Sequence, residues 1–391
     1  MPFEKSSNRN GLAGDNKIYS KIDGNYDILS LDDLFDLFKA NTIEVPSIDS
    51  KGNQIWVRVT NIIFIGKRKS LKVIPTNGLY FTTIGTQKTP TIITAIKLKQ
   101  TSDMNLRFIE IKEIKKLDKF WFLSHFENNL KEGETSDYKN GFFVGFFLAE
   151  GNYIYYSHKL KQNSKFSNYA LKRWSLEKGY SKIEDYLFQR KDKRIKGLQL
   201  SCGYKDLKKG YLDKIVFSKN INRYGKKVHV SIYDKNAISI IKRYVHGSTS
   251  KNKRLKQLAF NKSKSFLQGV LDGFIAGDGY IAKTRISIGM TNNYILRDQL
   301  MIISKMLKFE PRFSESKINL KNYKKTYQIL ILRLCPLEKR FIRNNIFFQN
   351  LRRIDKYETQ RIYRIELESR AALTDEWNRL LVLGNGCIVQ V

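Results

Sequence analysis

Two acidic residues, Glu150 and Asp278, stand in matching surroundings that set them apart from the other acids of the chain. Each closes an apolar stretch with small residues at every fourth position: Gly141, Gly145 and Ala149 before Glu150, and Gly269, Gly273 and Gly277 before Asp278. Each acid is followed by glycine, Gly151 or Gly279, and the five matched pairs are separated by one constant interval, which argues for a duplicated half-domain. Residues spaced by four share a helix face, so each copy carries a strip almost bare of side chains along which two helices can approach closely. The glycine after each acid is expected to take the left-handed conformation that closes a helix. The two carboxylates then meet at the base of a helix pair. Each opposes the helix macrodipole there and the two repel each other, so a cation has to compensate, and a divalent metal is the natural candidate.

Two other readings fit these stretches less well. Glycines at this spacing mark contacts between transmembrane helices, but neither stretch reaches the ~18 to 20 apolar residues that spanning requires. A buried helix pair whose acids are cap residues is the other; the duplication and the charge of the whole chain weigh against it. The 391 residues carry 71 Lys and Arg against 37 Asp and Glu, a net charge of +34 spread along the chain, which points to a polyanionic partner, nucleic acid before membrane. Hydrophobic residues at 41% and aromatic residues at 13% make this a folded protein of two or three domains. The cysteines Cys202, Cys335 and Cys387 have neither disulfide nor zinc spacing, and the N-terminal residues have no apolar signal core; an intracellular setting, nucleus or cytoplasm, is expected. His125, His158, His229 and His246 have no metal spacing.

With their acids, GFFVGFFLAEG and FLQGVLDGFIAGDG resemble the two LAGLIDADG motifs of single-chain homing endonucleases, with Glu150 where that family more often has Asp. The resemblance implies two αββαββα-type halves about a pseudo-twofold, each with a four-stranded antiparallel sheet, the two sheets forming a saddle over the major groove. It implies Glu150 and Asp278 as catalytic metal ligands, completed by the backbone carbonyls of Ala149 and Gly277, with Gly141, Gly145, Gly269 and Gly273 at the helix interface. Oxygen ligands favour Mg²⁺ (or Mn²⁺) over zinc. The family also places a lysine ahead of the second motif, in a block resembling KRLKQLAFNKSKSFLQG; Lys253 or Arg254 fits, to polarise water or bind the scissile phosphate, with Lys339 or Arg340 as the counterpart in the second half. Lys159, Lys161, His229, Arg254, Lys283, Arg285 and Lys324 are the expected DNA contacts, on the rule that Arg and Lys suit guanine while Asn and Gln suit adenine.

The flanks read differently. Residues 11–125 are short strands with turn punctuation and one helix, Ser30 to Ala40, capped by Ser30. GLAGDNKI from Gly11, and the closing GNGCIVQV, resemble the first and last blocks of an intein splicing domain of the Hint fold, which brings its two ends together around an inserted endonuclease. Splicing needs a thiol or hydroxyl nucleophile at the first position, where Gly11 stands, and a cyclising Asn after His at the end, where Gln390 and Val391 stand. In the Thr-x-x-His block Thr83 is the candidate threonine, with Thr86 in the histidine place. These positions read as degenerate.

Between the flanks, Glu127–Asn140 reads as a linker and 162–196 as a basic, aromatic-interleaved insertion. Val228, Val230 and Ile232 alternate with His229, Ser231 and Tyr233, followed by a helix with Ala237, Ile241 and Tyr244 inside. Ile286, Ile288 and Met290 form a second alternating strand, followed by a helix with Leu296, Leu300, Ile303 and Leu307 along one face. The expected fold class is therefore α+β: a Hint-like domain in two parts, 1–127 and 356–391, around an endonuclease domain, 128–355, with halves at about 138–250 and 251–355. The expected function is a monomeric, site-specific, Mg²⁺-dependent endonuclease on double-stranded DNA, with no membrane association and no splicing. The alternatives are an inactive DNA-binding protein or RNA maturase, and a splicing-competent intein.

Overall fold

The computed structural model describes residues 10–92, 106–116, 118–155, 195–203, 208–224, 227–283, 285–320, 325–336, 345–369 and 379–391. The fold is α+β, with a β module built from both ends of the chain and two similar α+β halves inserted between them. Among the described residues the α-helices are α1 (Leu31–Leu37), α2 (Thr135–Glu150), α3 (Lys235–Tyr244), α4 (Lys264–Asp278) and α5 (Tyr294–Met306).

The backbone of the β module is a ribbon of two 22-residue strands, Gln54–Pro75 antiparallel to Ile346–Leu367, with bulges that break the register in four places. Bulges let strands this long bend and twist around a core. Leu12–Ala13 pairs with Ile362 and Tyr363, and Lys119–Leu123 pairs with Ile346–Asn350, so the two ends of the chain share one sheet. Helix α1 begins at the expected cap, where the Ser30 hydroxyl accepts from the Asp33 backbone N–H and the Asp33 carboxylate accepts from that of Ser30, each at 3.1 Å. The expected domain boundary at 355/356 falls inside the strand Ile346–Leu367, so residues 346–355 pair with the β module.

The inserted halves have one topology. In the first, strands Gly151–Tyr155, Ile195–Gly203, Asn220–Tyr224 and Lys227–Ile232 are ordered first, second, fourth, third; in the second, Gly279–Ile281, Ile286–Thr291, Phe309–Leu320 and Lys325–Pro336 repeat that order. The alternations read from sequence place aliphatic residues toward the helices: Leu200, Val230 and Ile232 are fully buried in one sheet, and Ile288, Leu330 and Leu332 in the other. Leucine at 296 and 300 and isoleucine at 303 are buried on α5, but Arg297, Asp298, Met301 and Lys305 on its other face are buried too. Its amphipathic pattern is overridden because the β module covers the polar side. Lys305 Nζ donates to the Leu123 carbonyl at 2.6 Å, and Phe313 N donates to the Asn77 carbonyl at 2.7 Å. Buried side chains of the β module, such as Tyr19, Leu123 and Phe126, belong to the same hydrophobic cluster as α2 and α4. The linker expected over 127–140 is shorter than its sequence suggests, because α2 begins at Thr135.

Candidate active site

Helices α2 and α4 cross along their bare strips. A Cβ placed on Gly141 or Gly145 would run into the carbonyl oxygens of Phe266 or Val270, and one on Gly269 or Gly273 into those of Tyr138 or Phe142, all well inside van der Waals distance. Only glycine leaves the two backbones room to touch at these four positions, and the phenylalanines beside them are buried in one hydrophobic core.

Both helices end at an acid. A Cβ on Gly277, next to Asp278, would lie 2.6 Å from the Ala149 Cβ, 2.9 Å from the Glu150 Cγ and 3.6 Å from the Glu150 Oε1, so the two helix ends abut and Glu150 reaches toward the other acid. The glycines that follow do not adopt the expected left-handed conformation. Gly151 (φ −86°, ψ 149°) and Gly279 (φ −100°, ψ 156°) are extended and lead directly into strands. What demands glycine there is space: a Cβ on Gly151 would strike the Phe147 ring and one on Gly279 the Ile275 carbonyl.

Lys253 brings one positive charge to the two acids, beside the cation that the sequence reading expects there. It is 2% exposed and donates from Nζ to the carbonyls of Phe147 and Gly151, both at 2.9 Å, which seats its ammonium at the C-terminal end of α2. Burial lowers its pKa to about 8, against the opposing pull of the Asp278 and Glu150 carboxylates, both of which it faces. Burial raises Asp278 to about 6, with the Lys253 ammonium pulling the other way, although the side chain keeps solvent contact at the mouth of the site. Of the two candidates for the lysine place, Lys253 is therefore the one inside the site; Arg254 lies in a short strand opposite His246, half-buried. Asn293, the cap of α5, holds the Lys253 carbonyl at 2.8 Å and so ties the lysine to the second half.

The donor set suits a hard cation. Among the described residues no group of three or more His, Cys, Asp and Glu is gathered, and the donors at the abutting helix ends are the carboxylates of Glu150 and Asp278 with the backbone oxygens beside them. That is how Mg²⁺ is commonly held. The third ammonium proton of Lys253 is not used by either carbonyl, which leaves it available to the site.

Of the expected DNA contacts, His229 lies on the face of the first sheet away from the helices, and Lys283 and Arg285 are exposed just beyond the strand Gly279–Ile281. Lys159, Lys161, Lys324, Lys339 and Arg340, with most of the 162–196 insertion, lie outside the described residues. Among the described residues no helix is long and apolar enough to cross a membrane.

Of the positions read from sequence as degenerate for splicing, Gly11 is walled in: a Cβ there would lie 2.6 Å from the Ile362 Cγ2 and 3.1 Å from the Ile65 and Ile84 Cδ1 atoms. Thr83 donates its hydroxyl to the Gly11 carbonyl at 2.6 Å. Gln87, not Thr86, takes the place facing the first residue. Its Oε1 accepts from Gly11 N at 2.8 Å while its Nε2 donates to the Gln390 carbonyl, so one buried amide ties the first block to the last. The sequence reading missed Gln87 because glutamine is not a splicing residue type.

No model of a known protein family matches the chain, and no curated protein matches it. Solved structures similar to it include inteins and a homing endonuclease. A mini-intein from transcription factor IIB shares 11% identity at a TM-score of 0.25, over 30% of this chain and 72% of its own. Variants of the homing endonuclease I-DmoI share 8% identity at a TM-score of 0.31, over 53% and 92%; I-DmoI with DNA and Ca shares 9% at 0.30, over 53% and 86%.

Proposed function

We propose that the chain is a site-specific endonuclease that cuts both strands of a DNA duplex using divalent metal held by Glu150 and Asp278, in a molecule whose β module does not splice. The observation that carries this reading is the meeting of two acids, far apart in sequence, at the abutting ends of α2 and α4, between two sheets of identical topology. Glu150 and Asp278 present carboxylate oxygens to the cation, one from each half, so that each can serve one strand. When bound, Mg²⁺ supplies activation of water and neutralisation of charge on the phosphate. Lys253 holds the end of α2 in place and favours ionised carboxylates. The net charge of +34 draws in the polyanion and makes its binding strongly salt-dependent.

One observation favours a second reading. The Lys253 ammonium faces both acids, so they are partly compensated without any metal, as they would be in a DNA-binding protein that does not cut. Cleavage of a plasmid library, with and without Mg²⁺, separates the two. The endonuclease reading expects Mg²⁺-dependent linear product from the native chain and none from Asp278→Asn, with DNA binding by that variant within about threefold of native. Binding without cleavage by the native chain would establish the second reading.

A further inference from the structure

The two sheets differ in the chemistry they present on the faces turned away from the helices, and the difference follows the duplication. In an antiparallel sheet packed on one side, alternate residues line the open face, and residues paired across strands form rows over it. In the first half one row runs Asn152, Gln199, Ser231, Asn220, and the next runs Ser201, His229, Asn222. All of these are partly or fully exposed, whereas the alternate residues Leu198, Leu200 and Val230 are buried against the helices. In the second half the corresponding row runs Tyr280, Ser287, Arg333, Arg312, with Arg285 two residues before Ser287 on the same face. Ile329 and Ile331 precede Arg333 in its strand, also on that face and partly exposed. Asn152 and Tyr280 each stand two residues after a motif acid, so both rows begin beside the carboxylates.

We infer that the two halves read different bases: the first takes an A·T-rich half-site through Asn152, Gln199, Asn220 and Asn222, and the second takes a half-site with fixed guanines under Arg285 and Arg333. The inference rests on the endonuclease reading for its partner, duplex DNA. A side-chain amide pairs with the N6 and N7 of adenine, a guanidinium with the O6 and N7 of guanine, and aliphatic groups such as Ile329 and Ile331 meet thymine methyls. The rows fit the groove: four strands about 4.8 Å apart set their outer residues roughly 14 Å apart, near the ~12 Å width of the major groove. Arg312 is partly engaged, its guanidinium 3.5 Å from Glu310, so it serves as a weaker, flanking contact. The first-half rows carry no acid and no arginine. Its discrimination therefore comes from hydrogen-bond pattern, and that of the second half from charge-assisted bidentate pairs.

The test is selection of duplexes bound by the full chain from a randomised pool in chelating buffer, followed by sequencing. The expected consensus has A·T pairs on one side of its centre and at least two fixed guanines on the other. Arg333→Gln should lower the preference for guanine at one of those positions by roughly tenfold or more, and shift it toward adenine, leaving the A·T side unchanged. Gln199→Ala should relax one A·T position and leave the guanines fixed. A consensus alike on both sides, or guanines that survive Arg333→Gln and Arg285→Gln, overturns the asymmetry while leaving the endonuclease reading intact. Binding with no consensus at all overturns site-specific recognition, and the asymmetry with it.

Discussion

Lys253 gathers more of the site's chemistry than any other single side chain. Its two hydrogen bonds cap the carboxyl end of α2, and its charge faces Glu150 and Asp278. Replacing it with methionine leaves two carbonyls short of a donor and two acids short of a counter-ion. Lys253→Met is expected to lower the unfolding free energy by about 2 kcal/mol, read from the urea midpoint, and to depress cleavage as well. An unchanged midpoint would mean that the cap contributes nothing. Gly11 is the second informative residue. Gly11→Cys introduces a nucleophile type but pushes its Cβ into Ile362, so no ligation of flanking tags is expected from it, as judged on gels under reducing and non-reducing conditions. The acids, the lysine block and the glycine at position 11 were all legible in sequence, because chemistry restricts residue type. Gln87 was not, since its role is to span Gly11 and Gln390, a purpose that only their spatial closeness creates.

At the scale of the element, α2 and α4 depend on glycine for contact. Gly145→Ala and Gly273→Ala each force a methyl into a carbonyl of the opposite helix, and the helices must separate. Each is expected to cost about 3 kcal/mol, the upper part of the range for overpacking, and to lower cleavage more than DNA binding, because separation moves the acids apart before it disturbs the sheets. Thermal unfolding and nicking assays on the same samples check both halves of that expectation. The four-residue spacing announced these contacts, but the glycines closing the helices were misread. Sequence offers glycine for left-handed backbone or for bare space alike, and only the extended Gly151 and Gly279, packed on Phe147 and Ile275, decide for space.

Across the whole molecule, α5 joins the inserted halves to the β module through buried charge. Lys305 is fully enclosed, and burial brings its pKa down to about 7 despite Glu310 and the Cys387 thiol. An unfolded lysine titrates near ~10.4, so between about 7 and that value the unfolded chain holds the extra proton and stability rises with pH. The melting temperature is therefore expected to climb from neutral to mildly alkaline pH. Lys305→Met is expected to raise it at pH 7 and to remove part of the climb, because it removes a charge whose burial is unfavourable. A lower melting temperature in that variant would show that the bond to Leu123 outweighs the cost of desolvation. The sequence could not show this joint. Along α5 it displays one apolar stripe, and the polar residues opposite read as solvent-facing until the β module is found on top of them.

The chain by itself determined the duplication, the two acids, the alternating strands and the split arrangement of the β module, because each is written as residue type at fixed spacing along the polymer. Folding decided that Lys253 at the end of α2 faces both acids, that Gln87 ties the ends together, that α5 is enclosed on both faces, and which alternate residues share a row across each sheet. Those are distances between residues far apart in sequence, and they are fixed only when the cores of both halves and the β module close against one another.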